Sequence, residues 1–147
     1  MATRSEELFS QGAACSAAIF AAYAPRLGID EATALKIATG LGGGVGRQRE
    51  VCGVVTGLAM LASLKDGGDM TDPKVKERVY AVVQKMSADY RAKFGSIICR
   101  ELLGLDKKAV PPPKPEARTP DYYAHSHHAC LACVAFGAAL AEKYLFV

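Results

Sequence analysis

One segment of the chain, VCGVVTGLAMLASLK between Glu50 and Gly67, carries apolar residues on nearly every side of the helix that it predicts. A helix without a polar face belongs in the interior of a protein, because an exposed side would leave apolar surface in water. The rest of the chain must therefore pack around this segment. The sequence predicts an all-α fold with this helix, the third along the chain, buried at its centre.

The other predicted helices are marked by capping residues or proline at their starts, and by glycine or proline at their ends. The first two begin with Ser5 and Asp30 as candidate N-caps, and the fourth follows Asp72. Four of these helices cover about residues 5–23, 31–41, 73–94 and 97–104. The fifth begins between residues 119 and 126 and ends near residue 144. No alternating strand pattern and no internal repeat is present. We therefore expect one domain, residues 1–147, a bundle of five or six helices, with a proline-rich surface loop over residues 105–119.

Composition and charge exclude several classes of protein. The chain has 147 residues and is 50% hydrophobic, enough for a core without disulfide staples. Its net charge of +3 comes from scattered basic residues, which argues against a nucleic-acid partner. No apolar stretch is long enough to insert into a membrane, and Glu6 and Glu7 stand where a signal peptide needs positive charge. We therefore expect a cytoplasmic protein, in which five cysteines are thiols or metal ligands rather than a disulfide framework.

Two of these cysteines fall near predicted helix starts, and four do so if Ser126 is the cap of the last helix. Cys52 begins the third helix, Cys99 follows a Ser96 cap, and Cys130 and Cys133 lie early in the last helix. The partial positive charge of a helix N-terminus favours thiolate over thiol, so these positions suit reactive cysteines. Cys15 instead falls in the middle of the first predicted helix, where a buried core role is expected.

The last helix adds a second pattern. Cys130 and Cys133 form a Cys-x-x-Cys pair on one helix face, and His125, His127 and His128 come just before it. The histidines could supply metal ligands or a base, whereas the simpler interpretation is a solvated helix start. The βαβ setting of thioredoxin and the second Cys-x-x-Cys of a zinc ribbon are both missing.

The stretch GGGVGRQREVCGVVTG, from Gly42 to Gly57, places six glycines around Cys52. Val45 stands where a dinucleotide-binding fingerprint needs its third glycine, and no strand precedes the stretch. Gly53 and Gly57 lie four residues apart on one face of the third helix, and they would let another helix, a cysteine or a bound cofactor come close. Close helix packing is their expected role.

Taken together, four segments resemble the C_GCAxxG_C_C family, small bacterial and archaeal proteins described as redox-active. They are GAACSAAIFAAYAPRLGID, GLGGGVGRQREVCGVVTGLAM, FGSIICRELLG and CLACVAFGAALAEKYL, in that order. The family is defined by four cysteines and a Cys-Gly-Ala-x-x-Gly motif, and the resemblance covers nearly the whole chain apart from the proline-rich loop. It implies that the family cysteines are Cys15, Cys52, Cys99 and either Cys130 or Cys133, of which Cys130 is favoured because Val134 follows Cys133. Cys133 is then an addition, and Val54 replaces the alanine of the motif.

Three functions stay open at this stage. The first is thiol redox chemistry, with Cys52 and Cys99 as a reactive pair and Cys15 and Cys130 as their partners or as a second pair. The chain would then be a thiol-dependent oxidoreductase that acts on a redox partner protein or a small thiol. The second is a zinc or iron–sulfur site with ligands among Cys15, Cys52, Cys99, Cys130 and Cys133. The third is a non-enzymatic interaction module with core cysteines. The pairing of the cysteines, the cofactor, if any, and a homo-oligomeric state are left open.

Overall fold

The computed structural model describes residues 3–104 and 128–147, and these two ranges contain helices and no β-strand. The helices are α1 (Arg4–Ser10), α2 (Cys15–Tyr23), α3 (Glu31–Ala38), α4 (Gly42–Val45), α5 (Gly53–Asp66), α6 (Pro73–Phe94), α7 (Cys99–Leu102) and α8 (His128–Tyr144). The predicted all-α fold is confirmed. None of these helices has the length and apolar character needed to cross a bilayer. The predicted loop over residues 105–119, together with His125 and His127, lies outside the described residues.

The caps of α3 and α6 are those that the sequence predicts. The Asp30 side chain accepts a hydrogen bond from the backbone of the first turn of α3, and Asp72 does the same for α6. The predicted cap of α1 is wrong, because Ser5 is buried within that helix. Thr3 caps it instead: its hydroxyl accepts from the backbone N–H of Glu6, and the Glu6 side chain accepts from the backbone of Thr3.

The single helix predicted over residues 5–23 is two helices. The chain leaves α1 through Gly12, whose φ of 113° lies outside the right-handed helical region. It enters α2 at Cys15, so that the expectation of a mid-helix Cys15 is wrong. Cys15 is the first residue of a helix, where its neighbouring backbone N–H groups have no partner within the helix.

The core is built on the contact between α2 and α5. Nearly every residue of α2 is buried, and α5 packs against it, against α6 and against α8. Glycines make the approach close: a side chain at Gly57 would meet the Ser16 carbonyl at 3.0 Å and Ile19 at 3.1 Å. In the same way, a side chain at Gly137 of α8 would overlap Val54 of α5. The helix predicted to be central therefore shares the centre with α2.

A short backbone pairing joins the segment before α5 to the segment before α7. The N–H of Cys52 donates to the carbonyl of Ile97 at 2.8 Å, and the N–H of Cys99 donates to the carbonyl of Glu50 at 2.6 Å. These two bonds flank an isolated antiparallel bridge. The pairing brings the starts of two helices, each with a cysteine, to the same side of the molecule.

Candidate active site

All five cysteines of the chain line one cavity of about 710 Å³. They are Cys15 of α2, Cys52 just before α5, Cys99 of α7, and Cys130 and Cys133 of α8. None of them is in a disulfide. The volume is in the range of cavities that bind small molecules. The residues that sequence reasoning selected from four separate segments therefore meet at one place.

Cys15 and Cys52 are in direct contact with each other. Cys15 begins α2 and Cys52 is the N-cap of α5, so the starts of the two core helices face each other. The contact depends on Gly53, because a Cβ atom there would overlap the Cys15 sulfur and would lie 2.8 Å from the Ser16 nitrogen. The two thiols are hydrogen-bonded to each other.

The pKa values of these two thiols are shifted in opposite directions. The pKa of Cys15 is lowered to about 6, mainly because the Cys52 thiol donates a hydrogen bond to it. Burial has the opposite effect and raises this pKa. The backbone N–H groups of Gly43, Ser16 and Gly53 lower it further. The hydrogen bond between the two thiols, together with burial and the nearby negative charge, raises the pKa of Cys52 well above its ordinary value. At neutral pH, Cys15 is therefore a thiolate and Cys52 is a protonated thiol that donates to it.

Both cysteines line the cavity, although the two residues differ in overall exposure. Cys15 as a residue is half-buried, whereas Cys52 is 6% exposed. The nucleophilic member of the pair is the Cys15 thiolate.

Tyr90 of α6 connects Cys52 to Cys133. Its hydroxyl lies 3.2 Å from the Cys52 sulfur and is also hydrogen-bonded to Cys133. The ring is fully buried, and burial raises the pKa of the hydroxyl, so Tyr90 stays neutral and can donate. Burial likewise raises the pKa of Cys133, and the hydrogen bond from Tyr90 opposes that rise. Tyr90 was not among the predicted site residues, because its place on the apolar side of α6 is also that of an ordinary core residue.

Cys99 has a different neighbour, the guanidinium of Arg49. Nη1 of Arg49 lies 3.6 Å from the Cys99 sulfur and donates to it. Burial raises the pKa of Cys99, and the charge and hydrogen bond of Arg49 oppose this rise. Arg49 was not among the predicted site residues, because nothing in a scattered distribution of basic residues marks one of them.

The glycine-rich segment before α5, which includes α4, is a left-handed turn and not a regular α-helix, because Gly43 and Gly44 within α4 have non-helical φ and ψ values. Gly43, Gly44 and Gly46 have φ values of 66°, 72° and 59°, and Arg47 and Arg49 have φ values of 64°. Side chains at such φ values are unfavourable, which explains the glycines and indicates strain at the two arginines. The turn directs the Gly43 N–H to the Cys15 sulfur and places both arginine side chains on the cavity wall.

Two details of the predicted site need correction. The structure joins Cys52 to Cys15 rather than to Cys99, because the side chain of Cys99 faces Arg49. The thiolate expected at the helix starts of Cys52 and Cys99 is also wrong, because the hydrogen bond to Cys15 together with burial raises the pKa of Cys52, and burial raises the pKa of Cys99. The thiolate forms at Cys15, where donors from two helices and the left-handed turn converge.

The metal alternative gains no support from the described side chains. In that part of the chain, no three His, Cys, Asp or Glu side chains lie close enough together to hold a metal ion.

Comparison with known proteins agrees with the resemblance seen in the sequence. A family model described as "Putative redox-active protein (C_GCAxxG_C_C)" matches residues 13–144, which include all five cysteines and the left-handed turn. No curated protein matches the chain, and no solved structure does. Because the match covers most of the chain, the protein belongs to the C_GCAxxG_C_C family.

Proposed function

We propose that the protein is a dithiol oxidoreductase in which Cys15 attacks disulfides and Cys52 resolves the mixed disulfide. The observation that carries this proposal is the hydrogen-bonded Cys15–Cys52 pair on the cavity wall, in which the pKa of Cys15 is lowered and the pKa of Cys52 is raised. Thiol–disulfide exchange needs these two roles, an attacking thiolate and a second sulfur within reach of it.

In the first step, the Cys15 thiolate attacks one sulfur of a substrate R–S–S–R′. A Cys15–S–S–R bond forms, the substrate disulfide breaks, and R′–S⁻ leaves with the electron pair. Cys15 loses its negative charge in this step. The charge and the hydrogen-bond acceptor that held the proton on Cys52 are then gone, so the pKa of Cys52 falls from its raised value.

In the second step, Cys52 transfers its proton to R′–S⁻ and attacks the sulfur of Cys15. The Cys15–Cys52 disulfide forms and R–S⁻ leaves. The two protein sulfurs are oxidised by two electrons in total, and the substrate disulfide is reduced to R–S⁻ and R′–SH. The hydroxyl of Tyr90, 3.2 Å from the Cys52 sulfur, can stabilise the Cys52 thiolate while it forms.

The test is to mix the reduced protein with an equimolar amount of 2-hydroxyethyl disulfide and to locate the new bonds by peptide mass spectrometry. We expect one intramolecular disulfide between Cys15 and Cys52 and release of two small thiols. C52S should stop after the first step, with one mercaptoethanol unit on Cys15, and C15S should lose the rapid reaction.

The C99S variant separates this pairing from the alternative one. If Cys52 pairs with Cys15, the Cys15–Cys52 disulfide still forms in C99S. A Cys52–Cys99 disulfide in the wild-type protein, or no exchange at all in any form, would contradict the proposal.

A further inference from the structure

The hydroxyl of Tyr90 is shared by two thiols that line the cavity. Its oxygen lies 3.2 Å from the Cys52 sulfur, and it is also hydrogen-bonded to Cys133 of α8. The Tyr90 ring packs against Phe136, three residues after Cys133, at 6.3 Å between ring centroids, so this face of α8 lies against it. A hydroxyl has one proton to donate, so Tyr90 cannot fully serve both sulfurs at once.

In the reduced protein, the Cys52 sulfur competes for the proton of Tyr90. The proton of Cys52 is donated to the Cys15 thiolate, so in the contact with Tyr90 the Cys52 sulfur is the acceptor. A thiol that donates to an anion is a better acceptor in turn, because hydrogen bonds in a chain polarise one another. The chain from Tyr90 through Cys52 to Cys15 therefore draws the Tyr90 proton away from Cys133.

The protonation of Cys133 depends on the redox state of the Cys15–Cys52 pair in two ways. Burial raises the pKa of Cys133, the hydrogen bond from Tyr90 lowers it, and the negative charge of Cys15 raises it. Cys99 acts in the same direction as Cys15 once it ionises. Of these influences, the charge of Cys15 and the hydrogen bond from Tyr90 change when the pair is oxidised.

Oxidation of the pair removes both restraints on Cys133. In a Cys15–Cys52 disulfide, neither sulfur carries a charge, and Cys52 has no proton to place in the chain. Because uncharged sulfur is a weak acceptor, the Tyr90 hydroxyl can then donate to Cys133. The loss of the negative charge and the stronger hydrogen bond both favour the thiolate form of Cys133.

We infer that oxidation of the Cys15–Cys52 pair activates Cys133 through Tyr90, which makes Cys133 a second site of exchange with a small disulfide. Cys133 loses its proton to solvent and attacks a second molecule R–S–S–R′. The Cys133–S–S–R bond forms, the substrate disulfide breaks, and R′–S⁻ leaves with the electron pair. This inference rests on the proposed dithiol function, and it adds a second site and an order of reaction.

The test compares Cys133 in the reduced protein with Cys133 in protein that already carries the Cys15–Cys52 disulfide. Each form is labelled over a range of pH with a small fraction of an equivalent of iodoacetamide, and peptide mass spectrometry counts the label on Cys133. We expect the midpoint of labelling to lie about one pH unit or more lower in the oxidised form, which is about tenfold more thiolate below both midpoints. The plateau rate above the midpoint reports access of the reagent, so the midpoint separates acidity from access.

Variants assign the shift to Tyr90. Y90F loses the donor and leaves only the effect of charge, so the difference between the midpoints of the two forms should shrink, whereas Y80F, at an exposed position, should keep it. Cys99 is an internal control, because the charge of Cys15 acts on it too but its hydrogen bond comes from Arg49. Its own shift should be the same in Y90F and in the wild-type protein. Circular dichroism checks that the variants fold, and the wild-type comparison does not depend on them.

Reaction with a disulfide tests the second exchange directly. The oxidised protein is mixed with fresh 2-hydroxyethyl disulfide at pH 8, and the loss of the free Cys133 thiol is followed by mass spectrometry. We expect this loss to be several-fold faster than in the oxidised Y90F variant. Because both proteins start with the pair already oxidised, a slower first exchange in Y90F does not affect the comparison.

The outcomes separate the two proposals. Equal midpoints in the two forms, or a lower midpoint in the reduced form, would overturn the activation of Cys133 while leaving the dithiol function in place. A shift that is undiminished in Y90F would overturn the role of Tyr90, and a disulfide between Cys133 and Cys15 or Cys52 would overturn the second exchange in favour of an internal transfer. Failure of the Cys15–Cys52 disulfide to form would overturn the dithiol function itself.

Discussion

The sulfur of Cys15 occupies the space that a side chain on residue 53 would fill, because Gly53 leaves that space open. This relationship brings the start of α2 against the start of α5. It allows one sulfur to receive the backbone N–H groups of Ser16, Gly43 and Gly53 as well as the thiol of Cys52. The low pKa of Cys15 is thus a property of helix packing, and it should change when that packing changes.

The G53A substitution should both destabilise the protein and alter Cys15. A methyl group at position 53 would overlap the Cys15 sulfur and meet the Ser16 backbone, so we expect a loss of about 1–3 kcal/mol of unfolding free energy. G40A is the matched control, because a Cβ atom there meets nothing within 4 Å and its φ is not positive. Its effect should be within about 1 kcal/mol. Urea unfolding measures both, and equal stabilities of the two variants would contradict the close contact.

The rate of Cys15 alkylation should depend on pH with a midpoint near 6. Because its pKa is lowered, Cys15 is a thiolate above that pH and is protonated below it, so the rate of reaction with iodoacetamide should rise through pH 6 and then level off. Modification of Cys15 is followed by peptide mass spectrometry. A midpoint near 9 in the wild-type protein would show that Cys15 is an ordinary thiol.

Variants of Cys52 test the cause of this shift. C52A removes the main hydrogen-bond donor to Cys15, and the midpoint should move toward higher pH. C52S keeps a donor of similar size, so its midpoint should stay below that of C52A. Identical midpoints in the two variants would mean that the Cys52 thiol does not set the acidity of Cys15.

Removing the hydroxyl of Tyr90 should slow the resolving step, in which Cys52 attacks the mixed disulfide, and should destabilise the fold only slightly. Y90F keeps the ring but loses the hydrogen bonds to Cys52 and Cys133, which we expect to cost about 1 kcal/mol of unfolding free energy. The pKa of Cys52 loses the lowering effect of Tyr90, so the Cys15 mixed disulfide should accumulate during exchange. Mass spectrometry of quenched samples detects that species. Y80F, at an exposed position, is the control and should resolve at the wild-type rate.

The sequence predicts much of this fold because local signals mark its helix ends. Asp30 and Asp72 cap α3 and α6 as expected, and Gly95 ends α6 with a φ of 88°. The break at Gly12 escapes prediction, since the apolar positions of the first segment continue at helical spacing across it. That single error hides the most reactive thiol, because it places Cys15 in the middle of a helix.

The chemistry of the site depends on contacts between distant segments. The five cysteines that the sequence singles out line one cavity in the structure. The sequence cannot rank their acidities, because these follow from burial and from donors that other elements supply: Cys52 to Cys15, Arg49 to Cys99 and Tyr90 to Cys133. A residue such as Tyr90 has the sequence signature of a core residue, and only its hydroxyl contacts show the second role.

Replacing Arg49 should make Cys99 less reactive. The Arg49 guanidinium donates to the Cys99 sulfur from 3.6 Å and opposes the rise of its pKa that burial causes. In R49Q this opposing effect is lost, the pKa of Cys99 rises further, and less thiolate is present at a given pH. We expect alkylation of Cys99 at pH 8 to slow several-fold, with one pKa unit equivalent to about tenfold in thiolate.

Two comparisons make this result specific. R49K retains a positive charge at the same backbone position and should restore part of the rate, whereas R78Q removes a charge from an exposed position of α6 and should leave it unchanged. The alkylation of Cys15 in the same samples reports whether the left-handed turn is intact, because the Gly43 N–H of that turn supports its thiolate. Faster alkylation of Cys99 in R49Q, with Cys15 unaffected, would mean that Arg49 shields this thiol from the reagent more than it stabilises the thiolate.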